Sequence, residues 1–138
     1  MKSLATDKTS VIKTISLWMP VVLWSAVIYY FSSIPHLEIK NSAFWNMILR
    51  KIAHITEYTI LTILYYRAIN QNKKPTTFSH NFFPILFSFI YSISDEIHQH
   101  FVPGRYSSIT DILINSIGLF IGHKIYLQIT TKNSKLEN

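Results

Sequence analysis

The sequence predicts an all-α membrane protein: a bundle of four transmembrane helices with both termini cytoplasmic, in one domain over residues 1–138. Charged residues make up only 14% of the chain and hydrophobic residues 49%, whereas soluble domains carry about 25% charge. A helix of about 20 apolar residues crosses the hydrocarbon core of a bilayer. Apolar runs of about that length recur at about 14–32, 52–69, 82–98 and 108–129.

The first span is the clearest of the four. Residues 15–31 are almost purely apolar, and Trp18 and Tyr30 supply rings suited to the membrane interfaces. A secretory signal peptide is the alternative reading, because Lys8 and Lys13 lead into the run. The run is too long for a signal peptide, and no small-residue cleavage site follows it. We therefore expect an uncleaved anchor.

The other three spans contain polar residues. The second includes His54 and Glu57, the third runs into Asp95, and the fourth includes Asp111 and Asn115. A buried helix of a soluble protein resembles any one of these runs taken alone. Four such runs in succession, in a chain with so few charges, favour a helical membrane bundle.

The basic residues predict the orientation. Four spans place nine of the thirteen Lys and Arg residues on the side of the termini and four on the other side. Loops rich in Lys and Arg stay in the cytoplasm, so the second set should lie outside. The inner set is Lys2, Lys8, Lys13, Arg67, Lys73, Lys74, Lys124, Lys132 and Lys135; the outer set is Lys40, Arg50, Lys51 and Arg105.

This charge distribution also limits the partners. The net charge of +6 is spread over the ends of the apolar runs rather than along one arm or stripe, so we expect no nucleic acid partner. The chain has no cysteine, which excludes disulfides and thiolate ligands. The expected location is a membrane, with membrane lipids as partners.

Helical spacing collects polar side chains near the outer ends of the spans. Asp95 and Gln99 stand at i and i+4 on the third span and share one face. Pro103-Gly104 then makes a turn, after which Ser107 or Ser108 is positioned to cap the fourth span. On that span a polar stripe continues into Gly118 and Gly122, and these glycines allow another helix to approach closely. The residues predicted to bind a ligand are Lys51, Asp95, Gln99, Arg105, Asp111 and Asn115.

Arg105 has two interpretations. It anchors the chain at the interface by reaching the headgroups, or it pairs with nearby carboxylates and offsets their desolvation. We adopt the second, which predicts one connected cluster of Asp95, Arg105 and Asp111.

Three segments together carry a family resemblance. They are Phe31-Ser32-Ser33, Lys51-x-x-His54-x-x-x-Tyr58-x-x-Leu61, and Ser94-Asp95-Glu96-Ile97-His98-Gln99-x-Phe101-Val102-Pro103-Gly104-Arg105 with its continuation Ser108-x-x-Asp111-x-x-x-Asn115-x-x-Gly118-x-x-x-Gly122. The pattern resembles the VanZ-like family of small bacterial membrane proteins, named for a protein linked to teicoplanin resistance. The resemblance implies a polytopic protein of the bacterial cytoplasmic membrane that is associated with the cell envelope, with membrane lipids or lipid-linked envelope precursors as partners. It leaves the chemistry open.

Three classes of function fit these residues. The first, which we adopt, is an accessory protein that binds an outer-leaflet lipid or lipid-linked glycan and affects susceptibility to teicoplanin-type glycopeptides. The second is a membrane-embedded enzyme acting on a lipid-phosphate or lipid-linked substrate. The third is a small transporter or flippase, which four spans would support only in a homo-oligomer. The catalytic candidates of the second class are His54, Glu57, Asp95, Glu96 and His98.

No sequence motif indicates a metal or cofactor. The segment Asp95-Glu96-x-His98 differs from the His-Glu-x-x-His zinc helix, although carboxylate and imidazole are suitable ligands for a hard metal. The nucleophile elbow Gly-x-Ser-x-Gly does not occur either. The sequence therefore predicts no metal and no cofactor, and it favours binding over catalysis.

Overall fold

The computed structural model describes residues 2–35, 43–105 and 107–136, and this part of the chain is entirely helical apart from short connections. The predicted all-α class is thus confirmed, and each apolar run coincides with a helix, although the fourth helix begins one residue after the start of its run. Lys40, one of the outer basic residues, is outside the described residues. The helices are α1 (Lys2–Ser33), α2 (Ala43–Asn70), α3 (Phe78–His100) and α4 (Ile109–Leu136).

Two of the described helices are long and apolar enough to cross a membrane. They are α4 and the Thr9–Ser33 part of α1. The other two carry their ionisable residues within the helix, as at His54 in α2 and Asp95 in α3, and this lowers their hydropathy. All four helices nevertheless expose large apolar side chains, among them Val22, Leu49, Ile90 and Phe120.

Consecutive helices run antiparallel. The indole Nε1 of Trp24 in α1 donates to the carbonyl of Glu57 in α2 at 2.9 Å. Further along, the α2 hydroxyl of Tyr58 reaches Asp95 in α3, and the α3 residue Ser92 accepts from Asn115 in α4. The carboxyl ends of α1 and α3 therefore meet the amino ends of α2 and α4 at one end of the bundle, which we call the polar end.

Gly118 and Gly122 bring α4 into backbone contact with α2. A Cβ atom on Gly118 would lie 2.6 Å from the carbonyl oxygen of Ile55, and one on Gly122 would lie 2.6 Å from that of Thr59. The Thr59 hydroxyl also donates to the Gly118 carbonyl at 3.1 Å. The close approach predicted from the two glycines is therefore present, and α2 is the partner helix.

Hydrogen bonds to backbone carbonyls fix the opposite end of the bundle. The Tyr66 hydroxyl in α2 donates to the carbonyl of Asn81 in α3 at 2.6 Å, and it lies 2.7 Å from Nδ1 of His123 in α4. The Tyr126 hydroxyl donates to the carbonyl of Lys73 in the α2–α3 connection. These bonds hold α2, α3 and α4 together below the polar end.

Candidate functional site

The polar end has a buried hydrophilic interior. Its side chains come from all four helices, although the surrounding surface is apolar. Since a buried polar group costs free energy unless it has a partner, such a concentration marks a structural network or a binding site. The buried polar residues here are Ser32, His54, Ser92, Asp95, Glu96, Gln99, Asp111 and Asn115.

Asp95 is the best-connected carboxylate of this interior. The Tyr58 hydroxyl and the Gln99 Nε2 both donate to its Oδ2 atom, each at 3.0 Å. Gln99 also donates to the Ser32 hydroxyl at 3.2 Å, which links α3 to the end of α1. Tyr58 and Gln99 are fully or almost fully buried, so these bonds fix the orientation of the Asp95 carboxylate.

Glu96 and Asn115 form a second pair across α3 and α4. The Asn115 Nδ2 donates to Ser92 Oγ at 3.0 Å and to Glu96 Oε1 at 3.4 Å. The other oxygens of the pair, Glu96 Oε2 and Asn115 Oδ1, are buried, and they have no hydrogen-bond partner among the residues that the structure describes. Asn115 of α4 therefore lies against α3, and Glu96 is the carboxylate that it meets.

His54 completes this group from α2. It is buried, and its Nδ1 atom likewise has no partner within the described chain. One potential ligand atom from each of His54, Asp95 and Glu96 lies within 4.8 Å of the others. An imidazole and two carboxylates at this separation are able to bind a cation or to exchange protons.

The other two catalytic candidates are not part of this group, although the charge of Glu57 interacts with that of Asp95. His98 faces α1, where its Nε2 atom is 3.0 Å from the Ser33 hydroxyl and its ring stacks on Tyr29 with centroids 4.4 Å apart. Glu57 is half-buried beside α1, and its backbone carbonyl accepts a hydrogen bond from the indole Nε1 of Trp24. Of the predicted catalytic residues, the structure therefore brings together His54, Asp95 and Glu96.

Arg105 binds the end of α1. Its Nε donates to the carbonyl of Ile34 at 3.2 Å, and its Nη2 donates to the carbonyl of Phe31. The last carbonyls of a helix have no partner inside the helix and carry its negative dipole end, so they attract a guanidinium. The expected ion pair with Asp95 or Asp111 is thus replaced, among the described residues, by backbone acceptors.

Arg105 still lies within the electrostatic field of the site. Burial lowers the pKa of Arg105, as does Arg50, whereas the carboxylate of Asp95 raises it. The guanidinium stays protonated at neutral pH because its ordinary pKa is far above that range. Of the other predicted binding residues, Lys51 is half-buried in α2, and Asp111 is buried in the first turn of α4, where the helix dipole favours a carboxylate. The charge of Asp111 also acts on His54 and Glu96.

A cleft of about 310 Å³ opens between α3 and α4 beside Glu96. Four isoleucines and Phe101 form its apolar walls, and its rim carries His100 and two serines. Ser108 also caps α4, because its hydroxyl accepts from the Thr110 N–H at 3.1 Å. The cleft residues are Ile93, Glu96, Ile97, His100, Phe101, Ser107, Ser108, Ile109 and Ile112.

Sequence patterns predict the position of some residues of the polar end and the cleft, but they do not predict what those residues contact. Helical spacing places Tyr58 on one face of the second span with Lys51 and His54, but its bond to Asp95 depends on how α2 and α3 pack. Ser107 and Ser108 are predictable only as helix caps. The isoleucines of the cleft have no sequence signal, because apolar residues also occur at every lipid-facing or core position of such a helix.

Fold and site together define a small all-helical protein that buries polar residues at one end of its bundle and has two helices apolar enough to cross a membrane. The family model described as VanZ/LLP1 matches residues 3–130. The chain belongs to the VanZ-like family, and this membership and the two apolar helices indicate a membrane protein. No curated protein matches the chain, and no solved structure matches it.

Proposed function

We propose that this protein spans the bacterial cytoplasmic membrane four times and binds an outer-leaflet lipid or lipid-linked envelope precursor at its polar end. Both termini are cytoplasmic in this proposal, and the polar end faces outward. The observation that carries the binding function is the α3–α4 cleft, which joins apolar walls to a polar rim and to Glu96. A lipid needs both kinds of surface, the apolar walls for its acyl chain and the polar rim for its headgroup.

The distribution of side chains supports four spans. Monomeric soluble proteins rarely expose large contiguous apolar patches, yet α2 and α3 expose residues such as Ile52, Phe83 and Ile90 in addition to those on α1 and α4. The buried residues of α3 are largely polar, among them Ser88, Ser92 and Asp95. Apolar outside and polar inside is the arrangement that a lipid solvent favours.

Cysteine labelling tests this topology. The chain has no cysteine, so Pro103→Cys in the α3–α4 turn and Ser134→Cys near the end of α4 each introduce a single thiol. Both positions are exposed. We expect a membrane-impermeant maleimide added to intact cells to label position 103 and to label position 134 only after lysis. Labelling of both positions on the same side would contradict four spans.

The geometry of the cleft favours a lipid over a water-soluble ligand. Ile97 and Ile109 line the cleft and are exposed on the side of the bundle, so in the proposed orientation the cleft faces the lipids of the outer leaflet. An acyl chain would lie along these walls while its headgroup reached Ser107 and Ser108. Arg105 is three residues before Ser108, and the two bonds to α1 use only part of its five N–H donors. It is therefore available to attract an anionic headgroup.

Filling the cleft should abolish this binding. We expect Ile112→Trp to lower the retention of phosphatidylglycerol on the purified protein by about tenfold or more, equivalent to a loss of about 1.4 kcal/mol. Native mass spectrometry measures the lipid-bound fraction, with phosphatidylcholine as the neutral comparison. The control is Ile117→Trp, which adds the same ring to α4 at an exposed position outside the cleft. Equal lipid retention in both variants would contradict the proposal.

The same two variants test the envelope phenotype. We expect expression of the wild-type protein to reduce susceptibility to glycopeptides that carry a lipid tail, such as teicoplanin, because such drugs use the membrane surface. Expression of Ile112→Trp should have no such effect, whereas Ile117→Trp should behave like the wild type. A change that extends equally to glycopeptides without a tail would point to the cell wall rather than to the membrane.

One observation favours a second function, a membrane-embedded enzyme acting on a lipid phosphate. His54, Asp95 and Glu96 converge inside the bundle, Glu96 also lines the cleft, and these residue types perform acid-base and metal-assisted chemistry. Release of inorganic phosphate from a lipid phosphate by the purified protein would favour this function over simple binding.

A further inference from the structure

We infer that the polar end contains a binding site for one divalent transition-metal ion, with His54, Asp95 and Glu96 as its protein ligands. No metal is assigned to this position by the sequence, which lacks a metal-ligand motif. The inference goes beyond lipid binding and does not depend on it, because it concerns a site inside the bundle rather than the cleft surface.

The first argument is the geometry of the three side chains. Their potential ligand atoms all lie within 4.8 Å of one another. Three donors bound to one ion at about 2.1 Å in tetrahedral geometry are about 3.4 Å apart. Side-chain rotations that move each of these atoms inward by less than about 1 Å therefore suffice.

The second argument is the set of polar atoms that lack partners. His54 Nδ1, Glu96 Oε2 and Asn115 Oδ1 are buried, and within the described ranges they make no hydrogen bond. His54 is 3% exposed, Glu96 4% and Asn115 fully buried. Buried polar groups are normally satisfied, so three of them around one group of ligand atoms require an explanation. A bound cation would satisfy the imidazole and the carboxylate directly, and the Asn115 oxygen is positioned nearby as a further donor or as a partner for a metal-bound water.

The third argument is charge. Asp95 and Glu96 are adjacent in the chain, both 4% exposed, and their potential ligand atoms belong to the same close group. Two carboxylates that share a buried site repel each other when both are ionised. The charge of Arg105 acts on both carboxylates, but its hydrogen bonds go to the end of α1. A divalent ion between the carboxylates would neutralise both charges, and a neutral imidazole completes the set without adding any.

Hydrogen bonds from neighbouring side chains orient the two carboxylates, as they do for the ligands of metal sites. Both hydrogen bonds to Asp95 go to Oδ2, from Tyr58 and Gln99. Glu96 accepts from Asn115 at Oε1, and the backbone of Ser108 also stabilises its carboxylate. Its Oε2 atom has no partner among the described residues and is left for an ion. Such outer contacts orient the ligands of metal sites and tune their affinity. The cleft, which Glu96 lines, provides the path of entry.

The ligand chemistry selects the class of ion. Carboxylates bind Mg²⁺, Ca²⁺ and Mn²⁺, whereas imidazole favours Zn²⁺, Fe²⁺ and other transition metals. One imidazole with two carboxylates is suited to Mn²⁺ or Zn²⁺. Three protein ligands also leave at least one coordination position open to water or to another oxygen donor.

Direct metal binding to the full-length protein in detergent tests the site. After chelator treatment and its removal, Mn²⁺ and Zn²⁺ are titrated separately, with electron paramagnetic resonance of free Mn²⁺ and calorimetry for Zn²⁺ as readouts. We expect about one ion per chain for at least one of these metals. Glu96→Gln and His54→Gln should each weaken its binding by about tenfold or more while size-exclusion elution stays unchanged.

His98→Gln is the matched control, because it removes a histidine of the same polar end that faces α1. It should bind the metal like the wild type. The inference is overturned if the wild type binds neither ion stoichiometrically, if both Glu96→Gln and His54→Gln bind normally, or if His98→Gln loses binding equally. If one ligand variant fails to fold, the other decides. None of these readouts involves lipid, so failure of the metal site is distinguishable from failure of the lipid-binding proposal.

Discussion

Replacing Asp95 with alanine is expected to lower the stability of the bundle strongly. The substitution leaves the Tyr58 hydroxyl and the Gln99 amide without their shared acceptor inside the bundle. An unsatisfied buried donor costs about 1–3 kcal/mol, so for the two donors we expect a loss of about 3 kcal/mol. At about 3 °C per kcal/mol, the melting temperature in detergent should fall by about 10 °C.

A second variant at this position separates hydrogen bonding from charge, and a variant at the neighbouring position serves as its control. Asp95→Asn keeps an oxygen acceptor and removes a negative charge beside Glu96, so its melting temperature should stay close to that of the wild type. Ser94→Ala is the structural control, because Ser94 is exposed and donates to a carbonyl of its own helix. Melting is measured in a chelator so that bound metal does not contribute. Equal melting of Asp95→Ala and Ser94→Ala would show that the carboxylate is not a stabilising acceptor.

Much of the polar end follows from helical periodicity. Asp95 and Gln99 share a face because they are four residues apart, and in the structure they are hydrogen-bonded to each other. Gly118 and Gly122 predict close helix packing for the same reason, because a spacing of four residues puts both on one side of α4. These are relations within one helix, and the sequence specifies them directly.

Relations between helices are harder to predict. His54 meets Asp95 and Glu96 only because α2 and α3 pack antiparallel at one particular register, which depends on the side chains of the whole interface. The predicted pairing of Arg105 with carboxylates is replaced by hydrogen bonds to the carbonyls at the end of α1, which the α3–α4 turn meets only in the packed bundle. A metal motif search fails for a related reason, since the proposed ligands come from two helices rather than from one short segment.

Gly118→Ala is expected to separate α2 from α4, and this is the second large effect. The added Cβ would lie 2.6 Å from the Ile55 carbonyl oxygen and 3.2 Å from the Thr59 nitrogen. These are backbone atoms of a helix, so neither is able to rotate away. Alanine favours a helix over glycine by about 1 kcal/mol, whereas overpacking costs about 3 kcal/mol at the upper end of its usual range. The clash therefore outweighs the propensity, and we expect a net loss of about 2 kcal/mol.

The same substitution should also disturb the polar end, which gives it a second readout. Asn115 is three residues before Gly118 on α4, and it holds Glu96 through its Nδ2 atom. A displacement of α4 away from α2 changes the position of Asn115 relative to His54, so metal affinity should fall together with melting temperature. Ile117→Ala is the control, because its side chain is exposed on α4, and it should alter neither quantity. If Gly118→Ala melted at or above the wild-type temperature, propensity would have outweighed the clash, and the tight α2–α4 contact would not be what positions Asn115.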